Sequence, residues 1–163
     1  PSYDEYHALV SLPIFQQVGD SYGLAVCYNN VGETYNALGQ PRSAVEYLEG
    51  AVRVCTADLG QVDILPDAYR NLGEAYLALG EREQALFYCQ QALQIAQHSG
   101  YAYMEGYAHE SLAKAYAAWG DTAQPREHLR QALAVFTRLG HAPKVNVISA
   151  ELRLLEENLQ SAI

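Results

Sequence analysis

Asparagine recurs at one position of a repeated segment in this 163-residue chain. Asn30 and Asn71 each begin a similar segment, and Ser111 begins a third. A side-chain amide both donates and accepts hydrogen bonds, so a row of amides can pair with the backbone of an extended peptide whatever its side chains. Asn costs about half a kcal/mol relative to Ala inside a helix, so its recurrence favours such a function. The alternative is that each amide satisfies a polar group of a neighbouring helix or is solvated.

Residues that catalyse reactions or bind metals are present, but their spacing does not favour either chemistry. The sequence contains no phosphate-binding loop, Gly-x-Ser-x-Gly elbow, His-Glu-x-x-His motif or Cys-x-x-Cys motif. His109-Glu110 and Glu127-His128 are adjacent pairs, and neighbours in a helix point about 100° apart. We therefore expect no enzyme activity, no cofactor and no metal site, and we expect all five His to be ordinary.

The three cysteines form neither a disulfide framework nor a zinc-binding pattern. Cys27, Cys55 and Cys89 are odd in number and lie far apart in the chain. Cys27 and Cys89 fall where the repeat places small or apolar residues. They are interpreted as buried free thiols in a reducing cytoplasm.

Composition and charge narrow the possible partners. Half the residues are apolar and 18% are charged, which is typical of a folded chain. The formal net charge of −9 argues against binding to nucleic acid or to an anionic membrane surface. No apolar run approaches the ~20 residues of a membrane span, and no secretory signal is evident. Because the chain opens within a helix at Pro1 and has no initiator Met, we expect it to be a fragment of a larger protein.

The elements that position these residues are internal repeats about 40 residues long. Self-similarity at such a period indicates stacked supersecondary units, which build long binding surfaces and seldom build catalytic pockets. The three copies read Asn30-Val-Gly-Glu-Thr-Tyr-Asn-Ala-Leu-Gly39, Asn71-Leu-Gly-Glu-Ala-Tyr-Leu-Ala-Leu-Gly80 and Ser111-Leu-Ala-Lys-Ala-Tyr-Ala-Ala-Trp-Gly120.

Each copy is predicted to end the first helix of an antiparallel hairpin. Apolar residues recur at steps of three and four, and Gly39, Gly80 and Gly120 follow at the left-handed cap position. Pro41 suits the first turn of a second helix, and the Asp121 side chain can accept from its free amides. A second apolar stripe with small residues then allows the two helices to approach closely.

The chain is predicted to be one domain over residues 1–163, with about eight helices. An orphan second helix at residues 3–19 contains Pro13, which either kinks it or marks a shorter helix starting near Ser11. Three hairpins follow, and the last helix caps the stack. The predicted hairpins cover residues 20–60, 61–100 and 101–140, and the predicted cap covers residues 141–163.

The repeats resemble the tetratricopeptide repeat over nearly the whole chain. That pattern has a large residue, Leu-Gly and Tyr in the first helix, then small, bulky and small residues in the second. The longer period resembles the long-helix variants of bacterial regulators, kinesin light chains and Pins-type adaptors. The resemblance implies an all-α fold, a right-handed α-solenoid of helix hairpins. The first repeat supplies the pattern with Tyr28, Val31-Gly32, Tyr35, Ala44, Leu48 and Ala51.

The resemblance also implies that the first helices line a concave groove. Tyr22 and Tyr103 are further candidates for it, and the first two repeats should form it best because the third departs from the pattern at Ala113 and Pro125. The predicted groove residues that bind a partner are Asn29, Asn30, Glu33, Asn36, Arg70, Asn71, Glu74, Tyr107, Glu110 and Lys114.

The leading functional hypothesis is a non-enzymatic cytoplasmic module that binds a peptide or protein segment in this groove. One alternative is a regulatory sensor arm of a larger bacterial transcription activator or signalling ATPase. Another is a scaffold that self-associates as a homo-oligomer. No nucleic acid or membrane partner is expected for this segment.

Overall fold

The computed structural model describes residues 3–57 and 63–160, and every secondary-structure element in that part of the chain is a helix. This confirms the predicted all-α fold of about eight helices. The helices are α1 Tyr3–Val18, α2 Ser21–Ala37, α3 Pro41–Ala57, α4 Leu65–Leu79, α5 Arg82–Ser99, α6 Ala102–Ala118, α7 Ala123–Arg138 and α8 Ala142–Gln160.

Helix ends follow the local chemistry that the sequence predicts. Gly80 ends α4 with φ +78°, in the left-handed region that a side chain disfavours. Asp121 Oδ1 accepts from the amides of Ala123 and Gln124 at 2.9 Å, which satisfies two free donors at the start of α7. Helix α1 continues through Pro13, so it does not begin at Ser11.

The helices form two layers, with the first helix of each hairpin on the inner side. Each helix packs against the next along the chain, and α4 also contacts α2 and α6. Within the described part of the chain, α3, α5 and α7 make no such contacts with one another. The layer of α2, α4 and α6 is therefore the compressed, concave side of the stack.

Glycines in the first helices let each hairpin close. A Cβ on Gly32 would overlap the Leu48 side chain, and a Cβ on Gly73 would overlap the Cys89 sulfur. That second Cβ would also lie 3.2 Å from the carbonyl oxygen of Ala85, which belongs to the backbone and cannot rotate away. The Leu-Gly pattern therefore reflects backbone proximity within the hairpin.

The third hairpin closes with a different pair of residues. Phe136 is fully buried in α7, at the position where the first two repeats have Cys55 and Ala96. Gly106 makes room for it, since a Cβ there would lie 2.6 Å from the Phe136 ring. A large residue in one helix is thus matched by the loss of a side chain in the other.

Three aromatic side chains meet inside each hairpin at equivalent positions. In the first two repeats all three are Tyr, and in the third repeat His replaces two of them. The ring centroids are 6.3 Å apart in Tyr28–Tyr47, 5.3 Å in Tyr35–Tyr47, 5.7 Å in Tyr69–Tyr88, 5.4 Å in Tyr76–Tyr88, 5.2 Å in His109–His128 and 5.6 Å in Tyr116–His128.

His109 and His128 share a hydrogen bond that sequence reasoning missed, since it treated every His as ordinary. Their Nδ1 atoms lie 2.9 Å apart, so one ring must donate and the other accept. Burial, together with the charge of His128, lowers the pKa of His109 to about 4, while Glu105 and Glu127 oppose this less strongly. Burial also lowers the pKa of His128. Both rings are therefore neutral in the folded chain at neutral pH.

This pair should make the third hairpin sensitive to acid. The pKa of His109 falls from 6.5 to about 4 on folding, so its stabilising contribution is complete above pH ~6.5 and is lost as the pH falls towards 4. We expect the free energy of unfolding to fall by about 2 kcal/mol between pH 7 and pH 5, measured by urea denaturation. The double variant His109→Tyr/His128→Tyr recreates the Tyr69–Tyr88 pair and should remove most of this dependence. Equal pH dependence in the parent chain and the double variant would contradict a role of this His pair.

The close approach of the two helices at Gly73 predicts that a side chain there lowers stability. Ala is about 1 kcal/mol more favourable than Gly inside a helix, yet overpacking costs about 1–3 kcal/mol. We therefore expect Gly73→Ala to lower the free energy of unfolding. Combined with Cys89→Ala, which removes the overlapping sulfur, the loss should be about 1 kcal/mol smaller than the sum of the two single losses. A Gly73→Ala variant more stable than the parent chain would show that the helices are not this close.

Candidate functional site

All ten predicted groove residues lie on the inner helices α2, α4 and α6, but their exposure differs widely. Asn30, Glu33 and Lys114 are exposed. The half-buried members are Asn36, Arg70, Glu74 and Tyr107, and the buried members are Asn29, Asn71 and Glu110. Contact of these residues with a partner stays a prediction.

Amide side chains join α2 to α4. Asn71 is 1% exposed and its Nδ2 donates to Asn29 Oδ1 at 3.1 Å. Asn29 Nδ2 donates in turn to Asp67 Oδ2 at 2.9 Å, and Asn36 Nδ2 donates to the carbonyl oxygen of Asn71 at 2.9 Å. Each of these amides therefore satisfies a polar group of the neighbouring helix.

Asn30 and Asn71 occupy the same repeat position in different surroundings. The Asn71 position faces the preceding inner helix, α2, where Asn29 accepts its hydrogen bond. Ser111 likewise donates from α6 to Glu74 on α4, at 3.0 Å. No inner helix precedes α2 within the described residues, so the Asn30 side chain has no such neighbour and is exposed.

Arg70 pairs with two carboxylates of its own helix, α4. Through them it is linked to both neighbouring inner helices. Its Nη2 lies 2.7 Å from Asp67 Oδ1, and its Nη1 lies 3.1 Å from Glu74 Oε1. Burial alone would lower the pKa of Arg70, but the charges of Asp67 and Glu74 raise it on balance. Asp67 also accepts from Asn29 on α2, and Glu74 also accepts from Ser111 on α6. The guanidinium thus holds two carboxylates where they can accept from both sides.

An ion pair extends this network from α6 to α8. Lys144 Nζ lies 2.8 Å from Glu110 Oε2, and it also lies 4.6 Å from the centre of the Tyr107 ring. The Arg70 guanidinium is 5.9 Å from the same ring centre. Tyr107 and Glu110 are therefore committed to contacts within the chain.

Sequence reasoning missed Asp67 and Lys144 as members of this network. Asp67 could have been found, since Asp67, Arg70 and Glu74 are spaced three and four residues apart and so share one helix face. Lys144 carries no comparable signal, because its partner Glu110 is 34 residues away on another helix.

A cavity lies where α2, α4 and α6 begin. Its volume is about 540 Å³, within the usual range of ligand-binding clefts. Three tyrosines in its wall are substantially exposed: Tyr22 by 49%, Tyr101 by 39% and Tyr103 by 47%. Asn30 also lines it, so the one exposed amide of the repeated position opens onto this cavity.

A second, smaller cavity lies further along the same inner helices. Its volume is about 290 Å³, and Glu33, Asn36 and Glu74 contribute to its wall. Together the two cavities place polar side chains along α2 and α4, and aromatic side chains at the starts of α2 and α6.

The three cysteine thiols have low reactivity. Cys55 and Cys89 are buried, as predicted, whereas Cys27 is half-buried. Burial raises the pKa of Cys55 to about 11 and that of Cys89 to about 12, and it also raises the pKa of Cys27. All three are therefore protonated at neutral pH and are poor nucleophiles.

Within the described residues, no group of three or more His, Cys, Asp or Glu side chains is placed to hold a metal ion. Across the same part of the chain, no helix combines the length and the apolar character that crossing a membrane requires.

Comparison with known proteins agrees with the fold. Two family models, both described as tetratricopeptide repeat, match residues 65–138 and residues 24–62. The crystal structure of BtubC (BKLC) from P. vanneervenii superposes with a TM-score of 0.64 at 17% sequence identity. The match covers 86% of this chain and 66% of that chain. No curated protein matches the sequence.

The two Asn of the repeated position predict opposite results for one substitution. Asn71→Ala removes a buried donor and leaves Asn29 Oδ1 without its partner, which should lower the free energy of unfolding by about 1–3 kcal/mol. Asn30→Ala is the matched control, since this exposed side chain should cost nothing and Ala favours the helix by about half a kcal/mol. Urea denaturation measures both. Equal effects would show that Asn71 does not hold α2 to α4.

Proposed function

Because the chain belongs to the tetratricopeptide repeat family, whose repeats generally mediate protein–protein interaction and are typically non-catalytic, we propose that it binds a peptide or protein segment on its concave face. The observation that carries this proposal is the cavity between the starts of α2, α4 and α6, which exposed tyrosines line together with Asn30. Tyrosine presents a large apolar body and a polar tip, which suits contact with a partner.

The buried part of the network supports this function by fixing the geometry of the groove. Asn29, Asn71 and Glu110 have their hydrogen bonds or ion pairs satisfied within the chain. They hold neighbouring helices at set positions, so little order has to be gained when a partner binds. The exposed residues Asn30 and Glu33 are then free to make the contacts.

The width of the inner layer sets the length of the bound segment. Neighbouring helix axes lie roughly 10 Å apart, so the layer of α2, α4 and α6 spans about 20 Å. An extended chain covers this distance with about 6 residues at ~3.3 Å each. A short linear segment is therefore a sufficient partner.

The partner can belong to another protein, to another part of a larger chain or to a second copy. A regulatory arm of a bacterial activator or signalling ATPase would use this surface on a domain of its own protein. We propose the cytoplasm as the compartment because Cys27, Cys55 and Cys89 are all free thiols. The negative charge supports a partner that is neither nucleic acid nor membrane.

Selection from a phage-displayed library of random 12-residue peptides tests the proposal. Asn30→Ala should weaken the selected peptides about fivefold, as expected for the loss of one net hydrogen bond of about 1 kcal/mol, measured by fluorescence anisotropy. Tyr103→Ala should weaken them further, because it removes an exposed ring of the cavity. Gln90→Ala, an exposed change on α5 in the outer layer, is the control and should have no effect. Failure to select any peptide, or sensitivity to Gln90→Ala alone, would contradict binding on the concave face.

A further inference from the structure

The cavity at the starts of α2, α4 and α6 gathers exposed aromatic surface. Ten large apolar side chains are exposed in the described part of the chain, and three of them, Tyr22, Tyr101 and Tyr103, line this one cavity. Exposed apolar side chains are ordinary when scattered, but their concentration in a concave wall marks a binding surface. Val26 and Ile64 add apolar surface to the same wall.

The charge of this wall is negative. Asp63 and Asp67 line the cavity, and the described residues of its wall include no Lys, Arg or His. Asp67 is already paired with Arg70 and accepts from Asn29. Asp63 is exposed and forms no ion pair with any described residue, so its carboxylate can receive a cation from a partner.

The starts of three helices do not reverse this sign. A helix N-terminus carries about half a positive charge, which favours anions. Asp63 and Asp67 place full negative charges at the start of α4, and Glu105 lies in the first turn of α6. Asp20 accepts from the Gly23 amide at the start of α2. Each helix start therefore already has its own carboxylate.

The cations elsewhere on the concave face are also engaged by carboxylates. Arg70 lies between Asp67 and Glu74, and Lys114 Nζ lies 4.0 Å from the same Glu74 oxygen that Arg70 contacts. Glu33 adds an exposed carboxylate on α2. An acidic partner would therefore meet mostly like charge along this face.

We propose that the cavity receives a positively charged side chain of the bound segment, an arginine or a lysine. This proposal rests on the function proposed above. The aliphatic stem of the arginine or lysine packs against the rings of Tyr22 and Tyr103, and its cationic group pairs with Asp63. Arginine suits the site best, because a guanidinium stacks on aromatic rings and pairs with a carboxylate through the same plane.

A small-molecule titration tests the cavity without a known partner. The probe is N-acetyl-arginine methylamide, and its control is the uncharged isostere N-acetyl-citrulline methylamide. Added at up to about 20 mM to the whole chain, the arginine probe should shift the amide resonances of Tyr22, Asp63 and Tyr103 in a saturable way, whereas citrulline should not. Equal shifts from both probes, or none from arginine, would overturn the proposal.

Two aspartate variants then test the carboxylate. Asp63→Asn should weaken the arginine probe about threefold, as expected for a partly exposed ion pair. Asp121→Asn removes the same charge at the start of α7, away from the cavity, and should leave the affinity unchanged. Equal weakening by both variants would mean that only the net charge of the chain affects binding, and it would overturn the pairing of the cation with Asp63.

Peptide selection separates this proposal from the function on which it rests. Selected peptides should be enriched in Arg or Lys, and replacing that residue by citrulline or Gln should weaken binding. Peptides that bind the concave face without any basic residue would overturn the cationic site and leave the proposed function intact. Selection of no peptide, with the arginine probe still bound in the cavity, would overturn the proposed function and leave the cationic site intact.

Discussion

The pairing of Arg70 with Asp67 and Glu74 is the interaction on which the concave face depends. The Arg70 side chain is 15% exposed at the centre of the inner layer, and each of its carboxylates accepts a further hydrogen bond from a different neighbouring helix. Without the guanidinium, Asp67 would keep only the Asn29 amide as a partner, and Glu74 would keep only Ser111 and the Lys114 ammonium at 4.0 Å. One charged side chain is therefore linked, through its two carboxylates, to all three inner helices.

This arrangement divides the polar residues of the groove into buried ones that join neighbouring helices and exposed ones that do not. The side chains of Asn29 and Asn71 hydrogen-bond to neighbouring helices, whereas Asn30 and the cavity tyrosines are exposed to solvent. A rigid frame with an exposed aromatic patch is a physical basis for protein binding, because the cost of ordering the site is met when the chain folds.

Much of the fold could be predicted because its determinants are local. Gly80 ends a helix through its own positive φ, and Asp121 starts one with its own carboxylate. The site could be predicted less well, because burial of an amide depends on which helix lies beside it. Asn30 and Asn71 share a repeat position, yet only Asn71 has an inner helix on the facing side. The cavity has no sequence motif at all, since it arises where the starts of three helices meet.

We propose that the concave layer, and not the outer one, binds an extended segment of another protein. Intermolecular nuclear Overhauser effects between a selected peptide and the isotopically labelled chain test it most directly. The proposal predicts contacts from the peptide to side chains of α2, α4 and α6, with Tyr22, Asn30 and Tyr103 among them. Contacts confined to α3, α5 and α7 would contradict it.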